Sequence, residues 1–150
     1  MTELQSEEIK NAIVSQLLKT APECAVYKEA QSAPEYPHFF IHLIDVSDEE
    51  ERRKCHILTY LFDLRYRIKS DPSTDLNLEQ SLDAMALKLL SAFNIVDCGD
   101  VKIRFEDKHY EKQDGVLHFF CKVKMMVHDR ENTASTPFGG IELEIGLKGA

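Results

Sequence analysis

Residues 101–128 read VKIRFEDKHYEKQDGVLHFFCKVKMMVH, and this stretch decides the fold. Val101, Ile103 and Phe105 alternate with Lys102, Arg104 and Glu106 up to about Lys112, the period-two pattern of a strand with one buried face. Asp114-Gly115 then supplies the two residue types that tolerate the positive φ of a tight turn. The return strand Val116–His128 places Leu117, Phe119, Cys121, Val123, Met125 and Val127 on one side. His118, Lys122 and Lys124 lie on the other, which Val116, Phe120 and Met126 leave only partly polar. A long antiparallel hairpin follows from these residues alone.

Working outward, Cys55–Ile68 alternates in the same way. Leu58, Tyr60, Phe62, Leu64, Tyr66 and Ile68 face one side, and Thr59, Asp63, Arg65 and Arg67 the other, so this is a long half-buried strand. In Pro37–Val46 both faces are largely apolar, Phe39, Ile41 and Leu43 against Phe40, His42 and Ile44, which predicts a central strand. Cys24–Glu29 is short enough for an edge strand, and Gln31–Pro37, with Pro34 and Pro37, is a loop. The run Ser47–Lys54 reads as a solvated hairpin connection, because its charges are costly to bury unpaired.

Two segments have helical spacing instead. Ile9, Ile13, Val14, Leu17 and Leu18 form one face from Ser6 to about Thr20, with Ser6 as cap, Glu7 and Glu8 in the first turn and Pro22 beyond the end. Leu78, Leu82, Met85, Ala86, Leu89, Leu90 and Phe93 form another, opened by Asn77 and Gln80 at capping-box spacing. The expected fold is α+β: an antiparallel or mixed sheet packed by two helices, with a long β-hairpin and an extended C-terminal arm. The expected division is a domain at 1–128 and a flexible arm at 129–150, where Asn, Thr, Ser, Pro and Gly-Gly precede a strand-like terminal segment.

Composition bounds the function. Of 150 residues, 43% are apolar and 29% charged, as in a single globular domain. The 18 lysines and arginines against 26 aspartates and glutamates leave a formal charge of −8, which argues against general affinity for duplex DNA or an anionic membrane. No apolar run approaches the roughly 20 residues of a membrane span, and MTELQSEEIK lacks the regions of a signal peptide, so a cytoplasmic protein is expected. Cys24, Cys55, Cys98 and Cys121 are too widely spaced for a zinc knuckle or a CxxC pair and read as reduced core thiols.

Catalytic signatures do not emerge. None of the six glycines builds a phosphate loop, the six histidines form no HExxH, and no GxSxG frame is present. Asp97 or Asp100 followed by Glu106-Asp107-Lys108 loosely resembles the carboxylate arrangement by which some nucleases hold magnesium. Alternating charge on an exposed strand explains the same residues more simply, because no basic groove-lining run accompanies them.

The pieces IKNAIVSQLLKTAP with VYKEA, PHFFIHLI, YLFDLRY, DGVLHFF and GGIELEIGLK, in this order and spacing, resemble the phage tail terminator family of tailed phages and prophages of Gram-positive bacteria. The resemblance implies a small α+β structural protein, not an enzyme and without cofactor or metal. It implies a homo-oligomer, a hexameric ring, seated on the last ring of tail tube protein, ending tube growth and offering a surface to the head-tail connector protein. DNA would meet it only as cargo passing through the channel. Its places would be the host cytoplasm during assembly and the virion tail. Another head-tail joining protein is the alternative, and a metal-dependent nuclease the distant third.

Two contact regions are expected from geometry. Phe138, Ile141, Leu143, Ile145 and Leu147 form a strand-like apolar edge on an arm, suited to pairing with an adjacent subunit or with the tube, though a final strand within the chain's own sheet fits as well. The mixed-sign run containing Glu49, Glu50, Glu51, Arg52 and Arg53 could set register between subunits; a plain solvated turn is the simpler reading.

Overall fold

The computed structural model describes residues 2–52, 55–69 and 77–128. Helix α1 spans Thr2–Thr20, followed by strands β1 (Ala25–Tyr27), β2 (His38–Arg52) and β3 (Cys55–Arg67), helix α2 (Leu78–Ala92), and strands β4 (Ile95–Cys98), β5 (Val101–Gln113) and β6 (Val116–His128). The strands form one sheet in the order β1-β2-β3-β6-β5-β4. Only the β1–β2 pair is parallel, so the sheet is mixed and the α+β expectation holds.

The helices cover one face. Ile9, Ile13 and Leu17 of α1 and Leu82, Ala86 and Leu89 of α2 are buried in a common core with Phe39, Ile41, Tyr60, Phe62, Leu64, Phe119, Cys121 and Val123 of the sheet. Each large apolar side chain so buried contributes about 1.5–3 kcal/mol, which is why alternation in the strands and three-to-four spacing in the helices meet on the same core. Phe93, just past α2, packs edge-on against Phe105 with ring centroids 5.1 Å apart. The Gln16 amide donates to the Ala92 carbonyl (2.8 Å) and joins the two helices at their C-terminal ends.

Several sequence expectations need correction. Helix α1 starts at Thr2, so Ser6 lies within it and hydrogen-bonds the Tyr60 hydroxyl instead of capping. Leu18 is 46% exposed and leaves the buried stripe, because the stripe narrows to Ile9, Ala12, Ile13 and Leu17. Asn77 makes no side-chain capping hydrogen bond, so the capping box does not form. Residues 47–52 are not a loop: β2 continues to Arg52, with Asp48, Glu49 and Glu50 registered opposite Leu58, Ile57 and His56. Backbone pairing satisfies the peptide groups at a hairpin's end whatever the side chains, and charges there stay in water. Strand β4 is not anticipated by the sequence pattern as an element of its own; Gly99, at φ +67°, turns it back onto β5. A register shift between Glu106 and His109, with Asp107 at φ 50°, interrupts the expected continuous β5 alternation.

Candidate interaction surface

The sheet face away from the helices has no covering layer among the described residues. At its centre, on β3, Asp63 is only 3% exposed. Its Oδ2 accepts from Arg65 Nε at 2.9 Å and lies 2.9 Å from His118 Nδ1, which therefore carries the ring proton when the carboxyl is ionised. Its Oδ1 is buried with no hydrogen-bond partner among the described residues. Flat side chains surround the carboxylate. The Arg65 guanidinium carbon lies 5.8 Å from the centre of the Phe40 ring, and Phe40 stacks with His42 at 6.1 Å. Phe120 lies between His109 (4.9 Å) and His118 (6.2 Å), nearly parallel to both. Ile44, 43% exposed, and Met126, 42%, add apolar surface farther along this face.

The same face ends in an open strand edge. Strand β1 pairs with His38, Phe39 and Phe40 only, leaving the remainder of the fifteen-residue β2 without a neighbour on that side among the described residues. Leu43 and Val46 are half-buried there, packed against the margin of the core. Beside β1, Tyr27, Tyr36, His38, Phe40, Arg65 and Arg67 line a shallow cleft of about 200 Å³. Burial pushes the His38 imidazole below its ordinary pKa, partly offset by its contact with the Glu35 carbonyl (3.1 Å).

Of the acidic residues weighed as a magnesium site, three are each paired with a lysine and Asp100 is exposed. Asp97 pairs with Lys102 at 2.6 Å, which holds its carboxyl below the usual range; Asp107 pairs with Lys122 at 3.5 Å and Glu106 with Lys124 at 3.9 Å. Lys108 donates to the Leu90 carbonyl (3.1 Å) and to the Asn94 side chain, so it serves the end of α2. Among the described residues no three His, Cys, Asp or Glu side chains gather as a metal-binding group. Of the four thiols expected in the core, Cys24 and Cys121 lie in it, Cys55 is buried outside that cluster and Cys98 is only partly buried at its margin; burial raises Cys24 to about 11 and Cys121 to about 12. No described helix is long and apolar enough to cross a membrane.

Of the expected contact residues, Glu49 and Glu50 are exposed on the far half of β2, and Glu51 and Arg52 end that strand. Arg53 and the arm residues Phe138, Ile141, Leu143, Ile145 and Leu147 lie outside the described residues. Sequence spacing does not single out the cluster around Asp63. Its signal is present in the partly polar second faces of β3 and β6, but alternation alone does not say that this face lacks a cover.

A single sheet with both helices on one side, its other side and one long strand edge open among the described residues, defines an α+β subunit whose prominent features are surfaces. The phage tail terminator protein family is matched over residues 8–135, and the chain belongs to that family of structural virion proteins. One solved structure is distantly similar, with 9% identity, 85% of this chain and 98% of its own covered, and a TM-score of 0.37. No curated protein matches.

Proposed function

We propose that this protein caps the phage tail tube: copies close into a ring, a hexamer, on the last ring of tube protein, end its polymerisation and present the opposite side to the head-tail connector. The observation that carries this reading is the family match over residues 8–135, which spans nearly the whole described fold from α1 to the end of β6. The open sheet face and strand edge support it, since ring closure needs different surfaces of one subunit to meet head to tail. The acidic balance of −8 suits a channel through which DNA passes, like charge disfavouring adhesion. In this reading Phe138, Ile141, Leu143, Ile145 and Leu147 pair with an adjacent subunit, and Glu49–Arg53 fix register between subunits or against the tube.

Electron microscopy of tails assembled with and without the protein tests this. Its absence should give tubes of uncontrolled length and no joined heads, restored when the protein is supplied. Tubes of normal length in its absence would overturn the capping role.

A further inference from the structure

We propose that the open edge of β2 between Ile41 and Ser47 accepts, as an added strand, the segment Ile141–Leu147 of a second copy of this chain. The proposal rests on the ring reading above and names the surface through which neighbouring copies engage. The Ala25 amide donates to the Pro37 carbonyl, so Pro37 turns its peptide groups away from β3. Strand alternation gives Phe39, Ile41 and Leu43 the same outward aim. Strand β1 uses this edge only as far as Phe40. Beyond it, the outward peptide groups of Ile41 and Leu43 meet no strand among the described residues, and the register shift between Leu43 and Asp45 carries the outward aim on to Val46.

This part of the edge lacks the usual guards. Between Ile41 and Ser47 the only charged residue is Asp45 and there is no proline, whereas Asp48, Glu49 and Glu50 protect the far half of the strand. Leu43 and Val46 are only half-buried at the margin of the core. The donor matches in length and pattern: Ile41–Ser47 and Ile141–Leu147 are seven residues each, and Ile141, Leu143, Ile145 and Leu147 alternate with Glu142, Glu144 and Gly146. Laid beside β2 with its apolar side toward the helices, the segment would cover Leu43 and Val46 and turn its glutamates to the face that carries His42.

Reach is sufficient. His128, where β6 ends, is registered opposite Cys55, and Cys55 opposite Arg52, so the chain leaves the sheet about 14 Å from the outer side of β2 at the hairpin end. Residues 129–140 can span about 40 Å when extended, enough to cross to a neighbouring subunit.

Two measurements on the full-length chain test the proposal. In rings assembled on tubes, the Ile41, Leu43 and Val46 amides should exchange hydrogen at least about tenfold more slowly in the wild type than in Leu143→Pro, a change outside the described residues that removes a strand donor. Separately prepared Ile44→Cys and Gly146→Cys chains, mixed, assembled and treated with a short bis-maleimide, should become joined through the two substituted positions. Unchanged amide protection, or joining only within one chain when both substitutions are on the same molecule, would overturn the proposal. Tubes still capped at normal length in either case would mean that the strand assignment alone had failed. Loss of tube-length control as a phenotype of the complete deletion belongs to the capping reading and is scored separately.

Discussion

Asp63 and His118 meet diagonally across β3 and β6. The direct partner of Asp63 is Phe120 and that of His118 is Arg65, yet the carboxylate Oδ2 and the imidazole Nδ1 are 2.9 Å apart. The diagonal lets one oxygen serve both Arg65 and His118 while the Phe120 ring stacks beside the His118 imidazole. Asp63→Asn removes the charge that both neighbours answer and puts a donor into the group they donate to. The expected cost is about 1–3 kcal/mol in urea unfolding at neutral pH. His118→Gln should cost less once Asp63→Asn is present, a non-additivity of about 1 kcal/mol. Additive effects would show that the diagonal contact carries no coupling.

His38 predicts a pH dependence. Its pKa is lowered from 6.5 chiefly by burial against the Tyr27 and Tyr36 rings, with Arg67 acting in the same direction. The unfolded chain therefore binds the proton more readily than the folded one, and stability falls as pH drops below 6.5 until the folded imidazole also titrates. The carboxyls of Glu7, Asp83 and Asp97, lowered by Lys28, Lys112 and Lys102, contribute their loss only at lower pH, below about 4.5. Urea midpoints of wild type and His38→Gln should accordingly lie closer together at pH 5 than at pH 7.5, by about 1 kcal/mol or less in free energy. A constant difference would contradict the assignment.

The β5–β6 turn offers a backbone test. Asp114 and Gly115 have φ of 52° and 77°, the left-handed values that the Asp-Gly pair in the sequence announces. Gly115→Val should lower stability by about 1–2 kcal/mol, since a β-branched residue is crowded at positive φ. Asp114→Gly should be tolerated. Thermal unfolding of both variants separates the backbone cost from any loss of side-chain contacts.

Residues that report on one buried side are legible in the amino-acid order itself: Leu58 to Tyr66 in β3 and Leu117 to Met125 in β6 alternate because every second side chain enters the same core. What escapes depends on the neighbours of a segment. The charges of Asp48, Glu49 and Glu50 suggest a loop, but a paired strand end leaves them in water just as a loop would. Asp63 stands among the polar residues of β3, and nothing local indicates that Phe120, Arg65 and His118 bury it. Strand β4 escapes because four residues, Ile95–Cys98, are too few to establish a period.

Thiol chemistry should follow burial. Cys98 is half-exposed at the edge of the sheet, its Sγ 3.6 Å from the Glu8 carbonyl, whereas Cys24, Cys55 and Cys121 are buried. Native protein treated with a thiol reagent at pH 8 should modify Cys98 first, and more slowly than a free cysteine because its pKa is also raised by burial. All four should react after denaturation. Fast modification of Cys121 in the native state would mean that the sheet opens far more readily than its packing implies.

Removing residues 137–150 separates folding from assembly. Every buried apolar side chain among the described residues lies between Ile9 and Met125, so the deletion removes none of them. The truncated chain should melt within about 2 °C of the full-length protein, since a change below about half a kcal/mol moves the midpoint little in a domain of this size. Its loss should appear in assembly instead. Without Ile141, Leu143, Ile145 and Leu147 the added strand is gone, the half-buried Leu43 and Val46 stay uncovered, and tubes supplied with the truncated protein should run on past their normal length. A truncated protein that still forms rings and still stops tubes would show that the contacts joining neighbouring copies lie wholly on the folded domain, with the open sheet face around Asp63 as the surface to substitute next.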